Sequence, residues 1–195
     1  MIRTNISRIY SHHILNEYNE NIFVVDYTEK TKFETIRRSV EIFSPTPPGD
    51  NSYFSLFNNN KLIVNSIIFD NTSFTYTNGN AKSQCENTCF PKFSDEKSWI
   101  LFTELKYSSK PLNNENNLKK AIKQLFKTRY HYLQSGIFRK NQNTSYLIAS
   151  LPLQREPFSN FSLTQVYLSS LKTKHNIILR LKNSVEVINN SIIIV

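Results

Sequence analysis

Glycine is scarce in this chain: only three occur in 195 residues. With so few positions free of a Cβ, a loop-built protein or a glycine-rich phosphate cradle is disfavoured. Neither G-x-x-x-x-G-K-S/T nor G-x-G-x-x-G occurs, so nucleotide binding of the P-loop or dinucleotide type has no local support. Cysteine is nearly as rare. Cys85 and Cys89 have C-x-x-x-C spacing with no second Cys or His pair nearby to complete four zinc ligands, and they read as buried thiols in or beside a strand. His12 and His13 form an isolated pair that a polar surface accounts for. Long apolar runs are missing too. Ile22 to Val25 is too short to span a bilayer, and the first thirty residues hold no stretch of signal-peptide length, so the expected location is cytoplasmic with no membrane partner. In that setting the sequons at Asn143-Thr144-Ser145 and Asn160-Phe161-Ser162 carry no meaning beyond a high asparagine content. No internal repeat and no nucleophile paired with a base stand out.

What the chain does have is positive charge and the means to build a core. The formal net charge is +9, which would attract polyanions and speed their encounter, with nucleic acid as the first partner to consider. Hydrophobic residues make up 39 % and aromatics 13 % of the chain, enough for one core at this length, so residues 1–195 are expected to form a single domain.

Periodicity predicts the elements. Phe33, Ile36, Val40 and Phe43 recur at helical spacing between Lys32 and Phe43, with Glu34, Arg37, Arg38 and Glu41 on the other sides, which predicts a first amphipathic helix. The proline-rich Ser44 to Asp50 stretch ends it as a structured loop. Lys61 to Phe69 and Ser73 to Thr77 read as strands joined by the Asp70-Asn71 turn, with another turn at Asn78 to Asn80. Gln84 to Pro91 and Trp99 to Tyr107 read as two more strands around a polar turn at Ser94 to Lys97. Trp99 to Phe102 is apolar on both faces, so its strand should be central. After Asn113 to Asn117 a long helix runs to about Gln134, burying Leu118, Ala121, Ile122, Leu125 and Leu133. A strand at Ser145 to Leu151, a helix at Ser162 to Leu171, and strands at Ile177 to Leu181 and Ser191 to Val195 complete a mixed α/β (α+β) chain.

The segment richest in chemistry is Thr103-Glu104-Leu105-Lys106. Residues two apart on a strand share a face, so Glu104 and Lys106 project together while Leu105 enters the opposite layer. A carboxylate and an ammonium at the end of an apolar strand suit phosphodiester hydrolysis, the acid helping to hold Mg²⁺ and the lysine orienting water or stabilising charge on the phosphate. A second acid is needed. With a hairpin turning near Ser94 to Lys97, Glu86 falls level with Glu104, whereas the competing Asp95 sits in the turn at the other end. On the following helix Lys120, Gln124, Lys127 and His131 are spaced to form one stripe, with Lys123 beside it, a surface suited to a phosphate backbone.

A strand carboxylate, a hairpin, an apolar strand ending in Glu104-Leu105-Lys106 and a helix with a central Gln124 together resemble the PD-(D/E)XK nuclease superfamily, over about Phe33 to Leu151. The resemblance implies a restriction-endonuclease-like αβββαβ core whose mixed central sheet is flanked by helices, and Mg²⁺-dependent (or Mn²⁺-dependent) endonuclease activity on nucleic acid, DNA first. It makes Glu86 and Glu104 the metal-binding acids, Lys106 the motif lysine and Gln124 the helix residue found in some members, with Glu34 or Glu41 matching an acid some members carry on the first helix. The nucleic-acid-binding residues would be Lys120, Lys123, Lys127 and His131. Two departures accompany it: the first acid is Glu rather than Asp, and no Pro-Asp dipeptide precedes the Glu-Leu-Lys strand. A homodimer or a larger defence or mobile-element complex is compatible with the family, as is an inactive scaffold that binds nucleic acid or protein.

Overall fold

The computed structural model describes residues 1–49 and 52–195. Its central layer is a six-stranded sheet in the order β1 (Asn16–Tyr18), β5 (Val64–Ile68), β6 (Asn87–Pro91), β7 (Ile100–Leu105), β8 (Ser145–Ser150) and β9 (Ile177–Leu181). The strands from β1 to β7 pair antiparallel, while β7–β8 and β8–β9 are parallel. The parallel pairs require crossovers. These are supplied by α2 (Asn114–Gln134) and α3 (Gln165–His175). A second sheet, in the order β11 (Ile193–Ile194), β10 (Ser184–Val187), β4 (Phe54–Phe57), β2 (Ile22–Asp26) and β3 (Val40–Phe43), lies on the other side, and α1 (Ile2–Ile9) opens the chain. The protein is therefore of the mixed α+β class.

Alternation along β7 explains why the central sheet has two apolar faces. Ile100 and Phe102 join the core under the helices, which also takes Ile2 and Ile6 of α1 and Leu118, Ala121, Leu125 and Tyr132 of α2. Leu101 and Leu105 point the other way and pack with Ile22, Val24, Phe54, Leu56, Val185 and Val187 of the second sheet. The two cores make a helix, sheet, sheet sandwich with β7 in the middle.

The long helix follows its hydrophobic spacing. Leu118, Ala121, Leu125, Thr128 and Tyr132 are buried at alternating three- and four-residue steps. Gly136 ends the helix at φ 69°, and the Ile137 amide donates back to the Tyr132 carbonyl at 3.0 Å. Where glycine is lacking, Asn176 takes the left-handed position after α3. Cys85 and Cys89 are free, buried thiols.

Several expectations are corrected. No helix forms over Lys32–Phe43: residues 28–36 are turns and bends, Val40 to Phe43 is strand β3, and Phe33 and Ile36 are exposed. Pairing with β2 prevails over helical spacing there, and the Thr31 hydroxyl closes the preceding segment by accepting from the Arg38 amide at 2.8 Å. Glu34 and Glu41 are therefore not on a first helix. The first helix is α1, whose Ile2 and Ile6 are one turn apart and fully buried. Ser73 to Thr77 is a turn with one isolated bridge, Thr75 to Ala81, and Phe74 is buried among His13, Phe69 and Tyr132. The expected Ser44 to Asp50 loop is irregular through Gly49, and Asp50 lies outside the described residues. Among those residues, no helix is long and apolar enough to cross a membrane.

Candidate functional site

Glu104 lies at the C-terminal end of β7, and Glu86 immediately precedes β6. The register pairs Asn87 with Thr103, and the Glu86 amide donates to the Thr103 carbonyl at 3.2 Å, so Glu86 stands opposite Glu104. Lys106 Nζ bonds Glu104 Oε1 at 2.5 Å. The sheet fixes the lysine because its amide donates to the Ser150 carbonyl at 2.9 Å, extending the β7–β8 ladder by one residue. Asp95 lies in the turn at the opposite end of β7, where its carboxylate accepts from the Lys97 amide and the Ser98 hydroxyl.

A third acid reaches the pair from the second sheet. Asp26 ends β2, and its carboxyl group lies against Glu86, whose proton it helps to hold. Tyr107 brings it there: its hydroxyl accepts from the Asp26 amide at 3.0 Å and donates to the Ser52 carbonyl at 2.9 Å, fastening the end of β2 to the end of β7. Sequence reasoning missed Asp26, although Ile22 to Asp26 carries the same signal as β7, an apolar strand that ends on a carboxylate.

Burial governs the electrostatics. Glu104 has 0 % exposure, and its carboxyl is pushed up to about 7 by desolvation, with Lys106 pulling down and Asp26 adding to the rise. Glu86 is raised well above the carboxylate range by burial first, then by the charges of Glu104 and Asp26. Burial also disfavours the Lys106 charge, but the Glu104 ion pair, with Glu86 and Asp26 behind it, outweighs that effect and raises the lysine, which stays an ammonium. One oxygen on each glutamate, Glu86 Oε2 and Glu104 Oε2, is buried without a hydrogen-bond partner.

Those two bare oxygens, on neighbouring strand ends beside a third acid, fit a hard divalent cation held by few protein ligands and completed by water and phosphate oxygens. No group of three or more His, Cys, Asp or Glu side chains among the described residues is arranged as a ready metal cage. Glu86 and Asp26 line a cleft of about 450 Å³ together with Thr28, Arg37 and Arg38. Glu104 is fully buried and is not among the residues that line the cleft.

The other expected site residues divide into three groups. Gln124 touches neither acid; its amide donates to the Gln84 carbonyl at 2.9 Å, and one turn on, the Thr128 hydroxyl accepts from the Cys85 amide at 2.6 Å. These two bonds hold the chain just before Glu86, so Gln124 positions the acid through the backbone. Lys120, Lys123 and Lys127 are exposed on the outer face of α2 with no acidic partner among the described residues. His131 differs from them. Its ring stacks on Phe74 with centroids 5.0 Å apart, and burial, then Lys82, then Lys127 lower its pKa, so it is neutral at pH 7 and adds no charge to the stripe.

Comparison with known protein families, with curated proteins and with solved structures finds no match.

Proposed function

We propose that this protein is a divalent-metal-dependent nuclease that hydrolyses phosphodiester bonds, with DNA as the first substrate to test. The observation that carries the reading is the pair of unpartnered, buried oxygens on Glu86 and Glu104 beside the Lys106 ammonium. The order α1, β5, β6, β7, α2, β8 supports a restriction-endonuclease-like core, with α1 taking the place expected for Lys32–Phe43 and β1 to β4 inserted before the meander.

A Mg²⁺ or Mn²⁺ ion between the acids would polarise a phosphoryl oxygen and acidify a bound water. Glu86 and Glu104 would ligate it, with the Asp26 carboxyl group beside Glu86. Lys106, charged throughout the neutral range, serves as a cation and hydrogen-bond donor to the attacking water or to the phosphate, and not as a base. The water oxygen would bond to phosphorus as the bond from phosphorus to the ester oxygen breaks, and the proton the water gives up would pass to the leaving oxygen. Lys120, Lys123 and Lys127 present positive charge to the backbone next to Gln124, the residue that fixes the approach to Glu86.

The reading is tested by incubating single- and double-stranded DNA and RNA with Mg²⁺ or Mn²⁺. Cleavage that disappears in Glu104→Gln and Glu86→Gln, with unchanged circular dichroism, supports it. Absence of cleavage on every substrate counts against it.

One observation favours a second reading, a non-cleaving scaffold that binds nucleic acid. The Lys106 ion pair and the complete burial of Glu104 close the site against solvent. That reading expects salt-sensitive binding that survives Glu104→Gln, without cleavage under any metal.

A further inference from the structure

Phe33 and Ile36 are the apolar side chains that helical spacing assigned to a core, yet they are 91 % and 78 % exposed. They belong to the segment between β2 and β3, and its base is firmly built. The Thr31 hydroxyl donates to the Tyr27 carbonyl at 3.0 Å and accepts from the Arg38 amide at 2.8 Å, and the Tyr27 amide donates to the Ser39 carbonyl at 3.1 Å. At this neck the Arg38 guanidinium lies 3.6 Å from the centre of the Tyr27 ring and makes two bonds to Glu41 of β3 at 2.7 and 2.6 Å. A closed neck thus carries two large apolar side chains into water.

The surroundings of the tip say what it meets. Arg37 and Arg38 line the same cleft as Asp26 and Glu86, so the tip stands on the rim of the acid site. Despite Glu29 and Glu34, the segment is net basic, with Lys30, Lys32, Arg37 and Arg38. Lys32 Nζ reaches over the Phe33 ring at 5.1 Å, placing a cation beside the aromatic side chain. Exposed apolar wedges flanked by Lys and Arg are the device by which proteins part stacked bases and kink a duplex.

We infer that the Lys32 to Arg37 tip is a duplex wedge: Phe33 and Ile36 enter the base stack next to the phosphodiester presented to Glu86 and Glu104, while Lys32 and Arg37 bind flanking phosphates. The inference rests on the nuclease reading and adds the substrate class, double-stranded DNA that is unstacked at the cut. A phosphodiester brought to the acid cleft must carry its neighbouring base pairs past this rim, which favours nucleic acid over a lipid surface as the occupant.

The test uses the full chain in EDTA at low salt with duplexes carrying 2-aminopurine at successive positions. Binding should raise the fluorescence several-fold at one or two adjacent positions. The Phe33→Ala/Ile36→Ala double variant, which removes only exposed side chains, should lose that rise and bind about tenfold more weakly. Lys123→Ala should weaken binding while keeping the rise. If the wild type neither binds nor cleaves DNA, both the nuclease reading and the wedge fall. If it cleaves DNA but fluorescence stays flat, or the double variant matches the wild type, the wedge alone is overturned. Co-sedimentation with phosphatidylserine vesicles that the double variant loses, with DNA affinity unchanged, also overturns it by assigning the tip to a bilayer.

Discussion

Asp26 and Glu86 come from different sheets, yet their carboxyl groups meet at the mouth of one cleft. Like charges that close cannot both be free, so one keeps a proton until a cation arrives. Asp26→Asn removes the charge while keeping the oxygen that accepts from the Thr28 amide at 2.8 Å. The variant should fold normally, lose cleavage by roughly 10- to 100-fold, and move its pH profile to lower pH because Glu86 ionises more readily. Initial rates measured across pH would check this; an unmoved profile would remove Asp26 from the site.

Glu104 sets a second pH dependence. Its folded-state value of about 7 lies above the 4.5 of an unperturbed glutamate, so the folded protein holds a proton that the unfolded chain releases. Stability from this group is fully present below pH 4.5 and is lost as pH rises through about 7. Glu86, raised as well, steepens the decline. Glu104→Gln should therefore melt a few degrees above the wild type at pH 8, with the gap closing toward pH 5. Divalent ions act in the opposite sense: they displace the protons on Glu104 and Glu86, so metal affinity by calorimetry should grow by about tenfold or more per pH unit below 7 and go on rising until Glu86 has ionised as well.

The lysines on α2 should behave differently from their histidine neighbour. Substituting Lys120, Lys123 or Lys127 by Ala should weaken DNA binding without regard to sequence and reduce the slope of log K against log salt by about one for each phosphate no longer neutralised. His131→Ala should leave the slope unchanged, since the ring is uncharged at neutral pH. Titrations at several salt concentrations would distinguish the two. Equal slope changes would mean that His131 is protonated in the complex.

Gln124→Ala should spare the chemistry and disturb its placement. Removing the bond to the Gln84 carbonyl costs about 1 kcal/mol and loosens the chain before Glu86. Metal affinity should fall several-fold while the rate at saturating metal stays within about threefold of the wild type. A collapse of the saturated rate would instead mean that Gln124 touches substrate.

The sequence was most readable where one signal acted alone. β7, α2, β8 and β9 stand close to the expected places because apolar runs or helical spacing there were not opposed by other interactions. The position of Glu86 across from Glu104 followed from hairpin arithmetic, since strand register transmits a turn position faithfully along a few residues. Lys32 to Phe43 misled because Phe33, Ile36, Val40 and Phe43 imitate a helix, while Val40 and Ile42 equally suit a strand, and pairing with β2 decided the matter. Asp26 could not be assigned from spacing, because its approach depends on two sheets packing face to face and on the Tyr107 hydroxyl that ties their ends together. The second sheet lay hidden in short segments such as Phe54–Phe57 and Ser184–Val187, whose parallel pairing joins distant parts of the chain.

The Tyr107 link also bears on how the molecule comes into being. Asp26 arrives from the second sheet while Glu86 and Glu104 sit at adjacent strand ends of the central sheet, and no two of these acids are neighbours along the chain. A half-folded molecule in which the β6–β7 hairpin has formed therefore holds Glu86, Glu104 and Lys106 but lacks Asp26. The full set of three acids is complete only in copies whose two sheets have docked and whose ends the Tyr107 hydroxyl has tied together.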